Sequence, residues 1–339
     1  MDTISTGNNM ADIFVSIIIP MYNSEQYISA CLNTCINQTY SAIEILVVDD
    51  GSTDQSLKIV REYQYKDERI HVVVQSNKGL VETRKIGVKN ALYDLIVFLD
   101  SDDTLENNAI SLLIEQYIKT GADLILANFL VETEKNKLIF KQHNTYQYGL
   151  SAESVLKSVL IKDVAPTIWG KLMRKDVFLQ TNAPSDITIG EDVVTLFQIL
   201  LNKTLKISYI DDCIYHYIQR PSSMINKKSK LIIDKRLKLL EWIENYYCLN
   251  LRSVDQYERY YYFFILNEYF SLLKDGANYR DIQCVIRLIK PELSSYSSQI
   301  IKRMGLVRWG LIYTSMKSFS LFLIMRKGYL FIRKLKYGL

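Results

Sequence analysis

The first half of the chain alternates short apolar runs with amphipathic stretches. Residues 14–19 (FVSIII), 43–48 (IEILVV), 70–74 (IHVVV) and 95–99 (LIVFL) are nearly continuous and rich in β-branched side chains. Strands buried on both faces of a parallel sheet have this composition. Between them, residues 25–38, 54–66 and 79–92 place apolar side chains at helical spacing. Ser24 is positioned to cap the first of these helices, with Glu25 in a first turn that favours negative charge. The alternation predicts an open, doubly wound α/β sheet, and in such sheets ligands bind beyond the carboxyl ends of the strands. Residues 123–131 predict a further strand, 132–149 a polar excursion, 151–161 and 191–201 helices, and 206–210 and 214–217 two short strands. From about residue 227 the pattern is helical through 289; Pro291 breaks it, and a basic, apolar segment runs to Leu339. The pattern therefore divides the chain into 1–224, an α/β domain, and 225–339, a mainly α-helical region.

Charge follows the same division. The net charge of +4 is the sum of an acidic first part, with 20 Lys and Arg against 28 Asp and Glu in residues 1–224, and a basic second part, with 21 against 9. No acidic residue follows Glu292. A basic, apolar end points to nucleic acid or to an anionic membrane. No stretch reaches the roughly 18 uncharged apolar residues that a membrane-spanning helix needs, so lying on a membrane is favoured over crossing it. The chain holds 24 tyrosines, many after Tyr209, a side chain suited to partly wet surfaces. Of five cysteines only Cys31 and Cys35 are close, and with no second pair or histidine cluster they read as helix packing rather than a zinc site. The polar residues 1–12 read as a short lead-in without a secretory pattern, which with the odd cysteine count fits a reducing cytoplasm.

Three predicted strands end in polar clusters: Pro20-Met21-Tyr22-Asn23, Asp49-Asp50-Gly51-Ser52-Thr53-Asp54 and Asp100-Ser101-Asp102-Asp103. The second alone is equally a turn. The third packs three carboxylates into four residues, which is costly unless positive charge sits among them. A hard divalent cation held by one or two carboxylates and the phosphates of a nucleotide would supply it. The alternative is capping of a helix over 106–119.

The segments VSIIIPMYN, VVDDGSTD, NKGLVETRKIG, IVFLDSDD and IGED, in this order and spacing, resemble glycosyltransferase family 2 across about residues 15–220. The resemblance implies the GT-A fold, a Rossmann-like open sheet that binds a nucleotide-sugar, and Mn²⁺ or Mg²⁺ as cofactor. It assigns Asp50 to the nucleobase edge, and Pro20, Tyr22 and Asn23 to the nucleoside pocket with Glu25 at its rim. Asp100 and Asp102 match the Asp-x-Asp motif, with Asp102 on the metal and Asp100 on the ribose or the metal's water shell. Asp103 is left as a supporting carboxylate or a helix cap. Arg84 would steady the base or diphosphate, although Thr83-Arg84-Lys85 stands where the family commonly has Ala-Arg-Asn. Glu191-Asp192 matches the Glu-Asp motif, with Asp192 as general base. Trp169 would stack on a sugar ring, Lys171 and Arg220 would reach phosphate, and His216 is a candidate third metal ligand.

These roles imply an inverting hexosyltransferase, one that moves a sugar from a nucleotide-diphosphate donor, most commonly UDP-linked, to an acceptor hydroxyl. The implied acceptor is a glycan or a polyprenyl-diphosphate-linked sugar in capsule, O-antigen or related polysaccharide synthesis. The resemblance decides the basic end in favour of a peripheral contact with the inner face of the plasma membrane and against nucleic acid. The alternatives are a nucleotidyltransferase, disfavoured because residues 20–26 hold no glycine- and lysine-rich triphosphate loop, and a non-catalytic, glycosyltransferase-like scaffold. The helical second part leaves oligomerisation open.

Overall fold

The computed structural model describes residues 13–135, 137–146, 149–202, 204–220, 230–250, 257–289 and 306–317. Internal contacts resolve two compact units, Met1–Ser223 and Met224–Leu339.

The first unit is built on a nine-stranded mixed sheet. Its parallel core comprises β1 (Val15–Met21), β2 (Ile43–Asp49), β3 (Ile70–Val74) and β4 (Leu95–Phe98), in the order β3-β2-β1-β4. Every residue of β1, β2 and β4 is buried, as continuous apolar strands under helices on both faces should be. Pro20 is tolerated in central β1 because its partner there is Val48 of β2, whereas pairing with β4 ends at Ile18–Phe98. The missing N–H therefore costs no ladder bond. The connecting helices are α1 (Ile28–Ile36), α2 (Ser56–Lys66) and α3 (Leu80–Asn90). Gly87 lets α3 lie close on the sheet, since a Cβ there would stand 2.4 Å from Ile18 Cγ2.

Beyond β4 the sheet continues as β8-β6-β9-β5, with β7 on β6. Here β5 is Thr104–Leu105, β6 Leu124–Thr133, β7 Leu138–Gln142, β8 Leu172–Arg174 and β9 Ile207–Gln219. β8 runs antiparallel to both β4 and β6, while β6 and β9 pair in parallel. Helices α4 (Ala109–Thr120), α5 (Ala152–Leu160), α6 (Lys175–Leu179) and α7 (Glu191–Leu200) complete the unit.

Several elements differ from the sequence expectation. Ser24 does not cap α1 with its side chain: its carbonyl accepts from Tyr27 and Ile28 N–H, and its hydroxyl meets Ser101 Oγ at 2.7 Å. The polar excursion over 132–149 contains β7. The two short strands expected over 206–217 are one strand, β9, because register shifts opposite Asn128 absorb the polar Asp211-Asp212.

The second unit contains α8 (Lys230–Asn250), α9 (Glu258–Asp275), α10 (Tyr279–Ile289) and α11 (Leu306–Lys317). Several of its tyrosines form a core, while Tyr313 is exposed. Tyr260, Tyr261 and Tyr269 are buried, Tyr247 stacks on Tyr261 with centroids 3.8 Å apart, and Tyr269 meets Ser315 Oγ at 2.9 Å. Arg236 is held by Glu268 (3.2 Å) and Asp275 (2.9 Å). Among the described residues no helix is long and apolar enough to cross a membrane. Apart from α11, the basic segment expected from residue 301 lies outside the described residues, as do the lead-in over 1–12 and the stretch following Arg220.

Candidate active site

The carboxyl ends of β1, β2 and β4 open on one side of the sheet, and their loops are tied together. Asn23, in the left-handed region at φ 49°, accepts Thr53 N–H at 2.8 Å while its own N–H donates to Ser52 Oγ. Glu25 accepts Gln55 N–H at 2.9 Å, and Glu25 N–H donates to Asp54. Both residues clamp the loop after β2. Tyr22 stands half-exposed beside them.

Asp50 is buried and uses both oxygens on the loop after β3: it accepts from Gln75 Nε2 (2.7 Å), Lys78 N–H (2.8 Å) and Gly79 N–H (2.9 Å). Gly51 makes this approach possible, with φ 74° and a position where a Cβ would lie 2.9 Å from Asn77 N. Asp50 therefore braces the 75–79 loop, rather than standing free at a pocket wall.

The three carboxylates after β4 diverge. Asp103 is buried and accepts from Tyr215 Oη (2.7 Å) and Ile218 N–H (2.8 Å), so it anchors β9 and caps no helix. Asp102 is 47% exposed and meets Arg220 Nη1 at 2.8 Å. Arg220 also bonds the Asp102 carbonyl and lies over the Tyr27 ring at 4.0 Å, a contact worth more as water is excluded. Burial pushes the Asp102 carboxyl up, against the pull of Arg220.

Asp100 turns the other way, to Arg84. That guanidinium is the hub of the site: its side chain is 3% exposed and it reaches Asp100 Oδ1 at 3.0 Å, Asp192 Oδ1 at 2.5 Å and Glu191 Oε1 at 3.5 Å. Burial opposes its charge, but Asp192, Asp100 and Glu191 outweigh it and hold the group above its ordinary value. Burial lifts the Asp100 carboxyl to about 6 despite Arg84, and burial together with the charge of Asp192 lifts Glu191 to about 7. The solvated helix face that Arg84 would occupy as a surface residue is thus excluded, and its contacts are carboxylates.

Glu191 and Asp192 open α7 after Gly190, which is in the left-handed conformation, so the acidic pair sits at the positive end of the helix. Asp192 Oδ2 accepts Ile168 N–H at 3.3 Å. The same 167–171 loop carries Lys171, which is buried and donates to Thr167 Oγ1 at 2.7 Å. Burial pushes its ammonium down to about 7, with Asp192 opposing. A folded value below the ordinary 10.5 means that the unfolded chain binds more protons between about pH 7 and 10.5. Lys171 therefore makes stability rise with pH across that window, by up to about 1.4 kcal/mol per unit. In Lys171→Met this component of the slope should vanish, so urea unfolding at pH 7, 8 and 9 should show the variant's advantage over wild type shrinking as pH rises.

Two sequence expectations are corrected. His216 does not face Asp102: its Nδ1 meets Glu132 at 2.9 Å and its Nε2 meets Glu106 at 3.0 Å, so both ring nitrogens are taken and it is no third metal ligand. Trp169 is buried, stacked on Tyr215 with centroids 4.2 Å apart and edge-on to Phe129. Its ring is packed under the site and offers no open face to a sugar. Sequence reasoning missed Gln75, Tyr27, Thr167 and Tyr215; of these, only Gln75, directly after an apolar strand, carried a positional signal.

The residues present fit a divalent cation. Asp102 is half-exposed at the end of the sheet, while Asp100 is turned to Arg84, and a hard ion can be held by one carboxylate if phosphate and water complete its shell. Among the described residues no group of three or more His, Cys, Asp or Glu side chains converges into a closed cage.

Comparison with known proteins places these features in a family. The model for "Glycosyl transferase family 2" matches residues 16–180. A cholesterol galactosyltransferase of Borreliella burgdorferi is 30% identical over 326 residues, covering 90% of this chain and 87% of the relative. Among solved structures, Staphylococcus aureus TarS 1–349 in complex with UDP-GlcNAc superimposes with a TM-score of 0.56 at 18% identity, covering 90% of this chain and 92% of that one. A mannosyltransferase of Pyrobaculum calidifontis in complex with GDP-Man and Mn²⁺ gives 0.55 at 13% identity, covering 89% and 87%.

Proposed function

The chain belongs to glycosyl transferase family 2 and has the GT-A fold, and on that premise we propose that it is a metal-dependent, inverting hexosyltransferase. The donor is a nucleotide-diphosphate sugar, with UDP favoured by the UDP-GlcNAc bound to TarS. The acceptor is a hydroxyl carried by a membrane lipid, either a polyprenyl-diphosphate-linked glycan or a lipid alcohol; the sterol named for the Borreliella relative supports such an acceptor.

One observation carries the reading. A single buried guanidinium, Arg84, touches Asp100 from the end of β4 and Asp192 from the start of α7. The carboxylate beside the diphosphate and the carboxylate that takes the acceptor proton are thereby brought to one centre. Asp192 is held from its other oxygen by Ile168 N–H, an orientation that suits a general base. The acceptor oxygen attacks the anomeric carbon as Asp192 takes its proton, and the bond to the diphosphate breaks on the opposite face. That single displacement gives a β-linked product from an α-linked donor. Asp102, with Asp100 on the ribose or in the ion's water shell, would hold Mn²⁺ or Mg²⁺, which when bound supplies positive charge to the departing diphosphate. Tyr22 and the loop braced by Asp50 line the nucleoside end, and Arg220, beside Asp102, would be the guanidinium available to phosphate.

The test is nucleotide release from a panel of UDP-, dTDP- and GDP-sugars with Mn²⁺ or Mg²⁺. Release from one donor should require the ion and fall by about 10²-fold or more in Asp102→Ala, the consequence of losing several kcal/mol of charge stabilisation. No release and no donor-induced rise in melting temperature across the panel would sink the proposal.

A further inference from the structure

The β6–β7 hairpin carries an apolar tip that the fold leaves uncovered. Leu138, Ile139 and Phe140 are 45%, 44% and 48% exposed. They are consecutive, so they cannot all point to one face of a strand. Ile139 is the extra residue of a bulge, because Phe140 lies opposite Val131 and Leu138 opposite Glu132. The strand thus shows apolar surface on both of its faces.

The charges around this tip are unbalanced. Of the two acids of the hairpin, Glu132 turns towards the body of the unit and meets His216 at 2.9 Å, while Glu134 is exposed and lies 3.8 Å from Arg220. The three lysines, Lys135, Lys137 and Lys141, are all exposed. Three exposed lysines against the one exposed acid, Glu134, leave the outward charge net cationic, on both sides of an apolar triplet. A folded protein partner covers one face of a strand, whereas a lipid surface admits both. Edge-to-edge pairing with a second copy is opposed by the bulge and by the lysines. Apolar side chains framed by cations match the two terms of binding to an anionic bilayer, burial beneath the headgroups and attraction to their charge.

We propose that this hairpin is a lipid-contact element which immerses Leu138, Ile139 and Phe140 in an anionic membrane surface. The element is joined to the site through Arg220, which contacts both Glu134 and Asp102. A lipid-borne acceptor would then be met at the edge of the donor site. The proposal deepens the assignment of a membrane acceptor and rests on it, but it is tested separately.

The full chain is sedimented with vesicles of equal parts phosphatidylglycerol and phosphatidylcholine, and with phosphatidylcholine alone, in the absence of donor and acceptor. Wild type should sediment with the anionic vesicles. Ile139→Ser/Phe140→Ser and Lys137→Glu/Lys141→Glu should each lower the partition coefficient about tenfold or more, with nucleotide release from the donor unchanged as proof of folding. The inference is overturned if wild type does not bind the anionic vesicles, or if both variants bind them as wild type does. It is equally overturned if the substitutions abolish a concentration-dependent dimer and leave vesicle binding intact. Sedimentation through the hairpin by an enzyme that transfers only to soluble acceptors would uphold the inference and defeat the acceptor assignment alone.

Discussion

Replacing Asp192 with asparagine is expected to lower sugar transfer by about 10²–10⁴-fold, the contribution of a positioned general base. Asparagine is nearly isosteric, and its carbonyl oxygen can still accept from Arg84 or from Ile168 N–H, the two groups that hold Asp192 now. What it cannot do is take the acceptor's proton. The loss should therefore fall on kcat, with the KM for donor changed little, because the side chain acts on the attacking hydroxyl and not on the nucleotide. Initial rates measured against both substrates separate the two constants. A variant retaining more than a tenth of wild-type kcat would remove Asp192 from the role of base.

Removing the hub should be felt in stability as much as in rate. In Arg84→Met, Asp100, Asp192 and Glu191 lose the cation that all three share. Breaking a buried ion pair from one side costs about 3–5 kcal/mol, because the partner charges stay behind without compensation. For a unit of this size that corresponds to a fall in Tm of roughly 6–20 °C. The deficit should depend on pH with a definite sign. Asp100 and Glu191 already sit at about 6 and about 7, above the ordinary 3.8 and 4.5, and losing Arg84 raises them further. Between pH 4 and 7 the folded variant thus binds more protons than its unfolded chain, and its stability falls as pH rises. Thermal melts should show the gap to wild type widest above pH 7 and narrowest near pH 5. A gap that does not change with pH would mean that the carboxylates do not depend on Arg84.

The central strands were legible because they are buried on both faces: FVSIII, IEILVV and LIVFL have no polar alternation to misread. β5 and β8 were not, since two and three residues are too few to establish a period. β9 has the sequence pattern of two short strands because Asp211-Asp212 interrupts its apolar run, while in space the register shifts carry those residues past Asn128. Within the site, charge density marked the carboxylates, but what each one faces depends on partners far along the chain. Arg84 and Asp192 are 108 residues apart, and His216 finds Glu106 across 110. Motif order could name Asp50, Asp102 and Asp192 without showing that Asp50 braces a loop or that Trp169 is packed from view.

The place of β8 bears on the order in which the molecule can be made. β8 is the strand that joins β4 to β6 in the sheet, yet it comes after both in the sequence. A chain growing on the ribosome displays the facing borders of β4 and β6 before residues 172–174 arrive to close them, and β6 then waits for β9 on its other side. Exposed strand borders invite pairing with other chains. Asp192 and Tyr215 also come late, so the donor end of the sheet can be complete while the centre around Arg84 does not yet exist. For this protein, premature termination anywhere between residues 133 and 171 leaves a sticky half-sheet rather than a partial enzyme.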